Sequence, residues 1–372
     1  EQSLAAHAGG VVDNVHTITP ATGTTAYGDE WETVMTTLGW VHDAGKLTTF
    51  FQNYVQKGTR SVADRPEYTY HGFLGALLAA HALASQDVSE EMRVAGFYAV
   101  AKHHGAIPTL QRAHDDYAGT RNRVDDKYDI VQTQLEDIDA HASDAADALL
   151  TAATDCKLGW ADIHMDSPEL YKKYLPHPSQ FDAQFYETVL RAWSTLVCAD
   201  KLDAAAVQPP ADTSRPDIER FRTNLAELPE GESPLETELN RLRTAAHEDC
   251  YTTLQQAYVA GNRLFTLTLP TGFGKTLTGL RACLELAEQE DSRVIYALPY
   301  TSVLDQVDSV CREFLDADPL SGAYTIHHHL ADTRTTLNER ADSDAPSTGT
   351  EALFAETWQS GLVLTTFTHL FE

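Results

Sequence analysis

Sixteen histidines stand among 372 residues, and in the first two hundred positions most of them fall in apolar, helix-like settings. Two adjacent pairs matter most. His42-Asp43 closes the apolar run Trp40-Val41 and precedes Ala44-Gly45-Lys46, while His103-His104 closes Tyr98-Ala99-Val100-Ala101-Lys102 and precedes Gly105. Neighbours on a helix diverge by about 100°, so each pair reaches two points a few ångströms apart and suits two metals better than one. Phosphodiester hydrolysis uses two cations about 3.5–4 Å apart to activate water, neutralise the phosphate oxygens and stabilise the leaving group. A carboxylate must bridge them, and Asp43, flanked by a ligand histidine at a helix end, is the candidate. Imidazole-rich ligation favours Mn, Fe, Co, Ni or Zn over Mg, which prefers oxygen and keeps its waters. Isolated histidines such as His16, His81 and His164 read as capped or core residues.

A second chemistry lies in Pro270-Thr271-Gly272-Phe273-Gly274-Lys275-Thr276, which follows a predicted strand and opens a predicted helix. Successive backbone N–H groups and a helix N-terminus cradle phosphates, Lys275 adds a point charge, and the Thr276 hydroxyl reaches Mg. The expected nucleotide contacts are therefore Thr271, Gly272, Gly274, Lys275 and Thr276, with ATP and Mg as cofactors.

The elements that must position these groups differ between the two halves. Apolar spacing of three and four residues predicts helices over 31–41, 70–84, 91–104, 141–154 and 180–204. Pro, Gly and acid then dominate 207–216 and 227–234. After a helix over about 235–258, strand and helix alternate: Arg263 to Leu269, 275–289, Arg293 to Leu298, 302–315 and Leu362 to Thr366. This is the pattern of a parallel sheet. The expected fold is an all-α domain over 1–205, a linker over 206–235, and the start of an α/β lobe over 236–372. The polar, acidic stretch 331–352 reads as a surface loop, and so does His327-His328-His329.

Composition narrows the class. Twenty-seven Lys and Arg against 55 Asp and Glu give a formal charge of −28, which argues against a simple basic nucleic-acid binder. Nine lysines against 18 arginines, on an acid-rich chain, point to a protein kept hydrated in concentrated salt, hence a halophilic source. No apolar run is long enough for a membrane span, and no signal peptide opens the chain, so a cytoplasmic protein is expected. The five cysteines are scattered and indicate neither disulfides nor a thiolate zinc site. Glu1 and Glu372 both read as cut ends of a longer protein.

The His42-Asp43 pair with its trailing lysine resembles the His-Asp phosphohydrolase superfamily. Taken with the phosphate loop, nearly the whole chain resembles the nuclease and helicase effector of type I CRISPR systems, in which a His-Asp nuclease domain precedes a superfamily 2 helicase. The resemblance implies an all-α nuclease domain and a RecA-like lobe cut before its Walker B motif. It implies one metal held by His7, His42, Asp43 and Asp200 and a second by Asp43, His71, His103 and His104, with Asp43 catalytic and Lys46 near the scissile phosphate. Asp162 is the alternative to Asp200, and His81 the alternative to His71. The stretch Val294 to Gln306 and the segments around His327 and Val363 to Leu370 resemble strand-contacting helicase motifs.

The implied activity is metal-dependent cleavage of single-stranded DNA by an antiviral endonuclease, coupled to 3′ to 5′ ATP-driven translocation and recruited by an RNA-guided surveillance complex. Lys46, Lys102, Arg112, Arg121 and Arg123 are the expected local DNA contacts. Lacking the Walker B acid and the second lobe, this chain is expected to bind nucleotide weakly. The alternatives are a phosphohydrolase of small nucleotides and an inactive binding module.

Overall fold

The computed structural model describes residues 3–21, 28–57, 66–118, 121–163, 177, 180–182, 184–208, 215–227, 231–315, 317, 323–327, 358 and 360–371. They divide into two compact units, Glu1–Pro209 and Pro210–Glu372.

The first unit is helical. Its helices are α1 (Leu4–Ala21), α2 (Gly28–Val41), α3 (Thr49–Lys57), α4 (Gly72–Ala84), α5 (Glu90–Ala101), α6 (Leu110–Ala118), α7 (Arg121–His141), α8 (Ser143–Ala153) and α9 (Phe185–Ala204). Helix α4 is the hub: Leu74 to Ala80, Ala82 and Leu83 are all buried. A helix apolar on every side belongs in the middle of a bundle, and α4 packs on α5, α2 and α7. Ser89 caps α5 by accepting from the Met92 N–H, and Glu90 and Glu91 in the first turn complement the helix dipole. Helices α6 and α7 are too polar for apolar spacing to reveal, yet Ala113, Tyr117, Val131 and Ile138 turn inward.

The second unit contains α10 (Ile218–Ala226), α11 (Pro234–Val259), α12 (Lys275–Gln289), α13 (Thr301–Leu315) and α14 (Phe367–Phe371). Its strands are β1 (Val294–Leu298), β2 (Tyr324–His327) and β3 (Leu362–Thr366). The sheet is parallel in the order β1-β3-β2, with Val294 and Tyr324 both paired to Leu362. Every residue of β3 is buried, as a strand covered on both faces requires. Ser233 and Glu236 form a reciprocal capping box at the start of α11, where Pro234 stands at a first-turn position that needs no N–H.

Three expectations change here. The stretch 206–235 is not wholly a linker, because α10 lies within it and buries Ile218 and Phe221 in the core of the second unit. Its short apolar stripe is masked by the Pro- and acid-rich sequence on either side. Arg263 to Leu269 forms no strand: no strand among the described residues pairs with it, and Leu264 is 91% exposed. Alternating apolar residues supply the faces of a strand but not its ladder partner. His327 is the last residue of β2 rather than part of a loop; His328, His329, His164 and 331–352 lie outside the described residues.

Candidate metal centre and phosphate loop

The histidines and aspartates of the first unit converge from helix ends. His7 lies on α1. His42 and Asp43 follow α2 where it passes into a 3₁₀ turn over Ala44–Leu47. His71 immediately precedes α4, His103 and His104 follow α5, and Asp200 lies on α9. His42, Asp43, His71, His103 and His104 lie just outside their helices, so these side chains can point inward without crossing a neighbouring turn.

Two groups result: His7, His42, Asp43 and Asp200, and Asp43, His71, His103 and His104. Within each, one ligating atom per residue lies within 4.8 Å of the others. Asp43 belongs to both and divides its oxygens between them. Its Oδ2 lies 3.4 Å from His7 Nε2 and 3.5 Å from His42 Nε2. Its Oδ1 lies 3.2 Å from His71 Nε2 and 3.4 Å from His103 Nε2. Asp200 Oδ1 approaches His7 Nε2 at 3.1 Å and His42 Nε2 at 3.8 Å. His71 Nε2 and His104 Nε2 face one another at 2.5 Å, as two ligands aimed at one point would.

The donor set fits divalent metal. His42 donates from Nδ1 to the Gly39 carbonyl at 2.9 Å, and His103 from Nδ1 to the Val100 carbonyl at 2.6 Å. Each bond fixes the tautomer and leaves Nε2 as a bare lone pair. His42 Nε2, His103 Nε2 and Asp43 Oδ1 are buried with no hydrogen-bond partner. Leaving a buried polar atom unmatched costs roughly 1–3 kcal/mol, and three such atoms converging on one place are explained by cations they can ligate.

Electrostatics fit as well. Hydrogen bonds with Asp200 and then Asp43 push the His7 imidazole up to about 10, against the effect of burial. Burial works to raise the Asp43 carboxyl, but His42 and the close approach of His103, His7 and His71 hold it well below the usual carboxylate range. Burial works to raise Asp200 too, but the nearby His42 and His7 imidazoles outweigh it and lower the carboxyl. Burial lowers His71, and burial followed by the His103 and His71 charges brings His104 down to about 4. His71 and His104 thus favour the neutral form beside an ionised Asp43, while His7 favours its protonated form.

Lys46 pairs with Asp43 and stands 5.8 Å from the centre of the Phe51 ring. Asp162 is elsewhere, accepting from the Gly159 N–H at 2.9 Å. His81 lies on α4 outside both groups, and His16 lies 3.3 Å from the Thr36 hydroxyl. Lys102 pairs with Asp116 at 2.8 Å, and Arg112 is exposed; the side chains of Arg121 and Arg123 are outside the described residues.

Sequence reasoning missed the supports. Asp203 holds His7 Nδ1 at 2.6 Å; its position three residues after Asp200, on the same helical face, is the signal that could have found it. Gly75 lets α4 approach the chain end of α2, since a Cβ there would stand 2.3 Å from the His42 carbonyl oxygen.

In the second unit, Gly272 (φ +83°) and Gly274 (φ +73°) turn the phosphate loop through left-handed backbone, which glycine adopts without steric cost. Gly274 caps α12, which begins at Lys275; Thr271 and Lys275 are exposed and Thr276 half-buried. Helix α11 braces the loop. Arg243 Nε donates to the Gly272 carbonyl at 2.8 Å, and buried His247 lies with Nε2 3.4 Å from the Phe273 carbonyl oxygen. Neither residue has a sequence pattern that separates it from an ordinary helix surface.

Both halves of the chain resemble known proteins. Residues 8–175 match the family described as "Cas3, HD domain", and residues 239–358 match "Type III restriction enzyme, res subunit". The molecule thus joins a His-Asp domain to a helicase-like α/β unit. It is 31% identical, across 89% of its own length and 38% of the other's, to the "CRISPR-associated nuclease/helicase Cas3" of Haloferax volcanii. The chain is thus similar to Cas3 nuclease-helicases in both halves, and it spans 38% of the length of that curated relative. A crystal structure of T. fusca Cas3 aligns with a TM-score of 0.41 at 18% identity, covering 98% of this chain and 41% of that one.

Proposed function

We propose that the chain is the metal-dependent nuclease part, with the beginning of the ATP-driven translocase part, of an effector that degrades single-stranded DNA in type I CRISPR interference. Residues 1–205 form the nuclease domain and 236–372, with α10 packed into the same core, the first portion of a RecA-like lobe. The observation that supports this best is Asp43, whose two oxygens each face a separate set of imidazoles. His7, His42, Asp43 and Asp200 hold one divalent transition-metal ion, and Asp43, His71, His103 and His104 a second. Bound there, such ions activate water and neutralise the phosphate.

The protein's own groups do the rest. Asp203 orients His7 through Nδ1, and the Gly39 and Val100 carbonyls orient His42 and His103. Lys46, paired with Asp43 in the structure, has the reach and charge to turn to a non-bridging phosphate oxygen once the carboxylate is otherwise matched. Thr271, Gly272, Gly274, Lys275 and Thr276 bind ATP and Mg. The RNA-guided complex supplies the opened strand, translocation runs 3′ to 5′, and the site of action is the cytoplasm. No helix among the described residues is long and apolar enough to cross a membrane.

Circular single-stranded DNA incubated with the purified chain and Mn or Ni tests the reading. The expected outcome is linear and shortened product, with Asp43→Ala abolishing cleavage and lowering metal content from about two ions per chain toward none. An intact circle with metal demonstrably bound to the wild type rejects it.

A further inference from the structure

Beside the second histidine group lies a cavity of about 580 Å³. Its floor is His71, His103 and His104, and its walls bring together rings from four separate stretches: Phe51 and Tyr54 from α3, Tyr70, Phe73 from the start of α4, and Tyr117 from α6. Phe73 and Tyr117 lie stacked, 5.0 Å apart and 8° from parallel. Phe51 meets His71 edge-on at 5.0 Å, so one aromatic wall continues into a metal-facing imidazole. Lys127 stands 5.2 Å from the Phe73 ring centre and 5.0 Å from that of Tyr117.

Nothing in the two-ion chemistry requires these rings. A hydrolytic site needs carboxylates, imidazoles and a cation for the phosphate, and all of those lie on the floor or at Lys46. The remaining wall is largely ring carbon, and its fixed charges, Glu67 and Lys127, are of opposite sign. Such a lining does not suit a second phosphate; it suits a flat, nearly neutral, polarisable group about the size of an aromatic side chain. Volumes of about 300–1,000 Å³ accommodate small ligands of this kind.

We propose that this cavity receives a nucleobase of the substrate strand, stacked among Phe51, Tyr54 and Tyr70, from a nucleotide next to the phosphate held over His71, His103 and His104. The proposal rests on the nuclease reading and adds to it a physical basis for single-strand preference. A base can enter only if it is unpaired and out of the stack, which in duplex DNA requires unpairing and flipping. Base stacking on an aromatic side chain is worth roughly five- to 150-fold in affinity by alanine substitution and tolerates every base, so the cavity confers strand selectivity without sequence selectivity.

The experiment uses the full chain in EDTA, so that binding is read without cleavage, and short single strands carrying one 5-iododeoxyuridine. Irradiation followed by peptide mapping is expected to place crosslinks on Phe51, Tyr54 or Tyr70. Tyr70 is 51% exposed, so Tyr70→Ala leaves the fold and the metal content unchanged; it is expected to weaken binding of normal oligonucleotides fivefold or more while leaving that of abasic sugar-phosphate strands as in the wild type. Phe51→Leu provides a second variant with the same expected pattern.

Crosslinks confined to other regions, or equal losses for normal and abasic strands in both variants, overturn the proposal. The two readings fail differently. If only the base site is wrong, metal-loaded protein cuts normal and abasic strands equally well. If only the nuclease reading is wrong, base-dependent binding persists and the loaded protein leaves the strand intact.

Discussion

The two units hold their candidate site residues in place by opposite means. In the first unit the candidate side chains come from helix ends spread from His7 to Asp200, and the surrounding bundle fixes three of them, His42, His103 and His7, through the Gly39 carbonyl, the Val100 carbonyl and Asp203. In the second unit the acting groups are contiguous, from Thr271 to Thr276, and their shape comes from two left-handed glycines and a brace from α11. The first arrangement demands long-range packing but, once packed, aims the free nitrogens of His42 and His103. The second is local, and the segment preceding it, Arg263 to Leu269, is unpaired within the described residues. A dispersed site is thus as firm as its core, and a contiguous one as firm as the elements touching it.

Breaking the support in each unit sharpens that contrast. The largest effect is expected from Asp203→Asn. It removes the charged partner of His7 Nδ1, and loss of such an orienting group typically lowers metal affinity or activity about 10–100-fold. Isothermal titration with Mn, alongside cleavage assays, measures it, and an unchanged affinity would mean that α9 orients His7 by packing alone.

In the second unit, Arg243→Ala removes one hydrogen bond to the loop carbonyl at Gly272. A loss of about 1 kcal/mol corresponds to roughly fivefold weaker nucleotide binding, measurable with a fluorescent ATP analogue. Helix content by circular dichroism should stay constant. An unchanged affinity would show that the glycines shape the loop without α11.

The smallest but most diagnostic effect is pH-dependent stability of the metal-free protein. His7 is raised from 6.5 to about 10, so its contribution is complete below 6.5 and fades as pH climbs through about 10. His104, lowered from 6.5 to about 4, and His71, also lowered, act in the other direction. Their burial is neutral above 6.5, and it becomes unfavourable as pH falls and the unfolded chain gains protons that the folded one refuses. The melting temperature of the first unit should therefore peak near pH 6.5, and saturating metal should flatten the alkaline limb by replacing the His7 proton. A profile unchanged by His7→Gln would remove His7 as its cause.

Much of this was legible in the residues. The pairs 42/43 and 103/104 sit at helix ends that apolar spacing predicts, and the structure brings them together with His7, His71 and Asp200. Local chemistry marks such positions because an ionisable residue at the end of an apolar run needs a partner. The phosphate loop is legible for the same reason: glycine where the backbone must turn left-handed, then lysine at a helix start.

What was hidden depends on contacts that one sequence does not encode locally. Helix α7 is polar along most of its length, α10 is a three-residue apolar stripe inside a Pro-rich stretch, and β2 is only four residues long. Arg263 to Leu269 shows the reverse error, a strand-like pattern without a ladder. Arg243 and His247 matter through neighbours far along the chain, and nothing about their own surroundings in sequence marks them; Asp203 is marked only by its spacing from Asp200.

Sharing Asp43 between the two groups makes their loading interdependent. An ion in either group would draw on one oxygen of the shared Asp43 carboxylate and compete with Lys46 for it. Each half would therefore change the affinity of the other by the same factor, whichever is filled first.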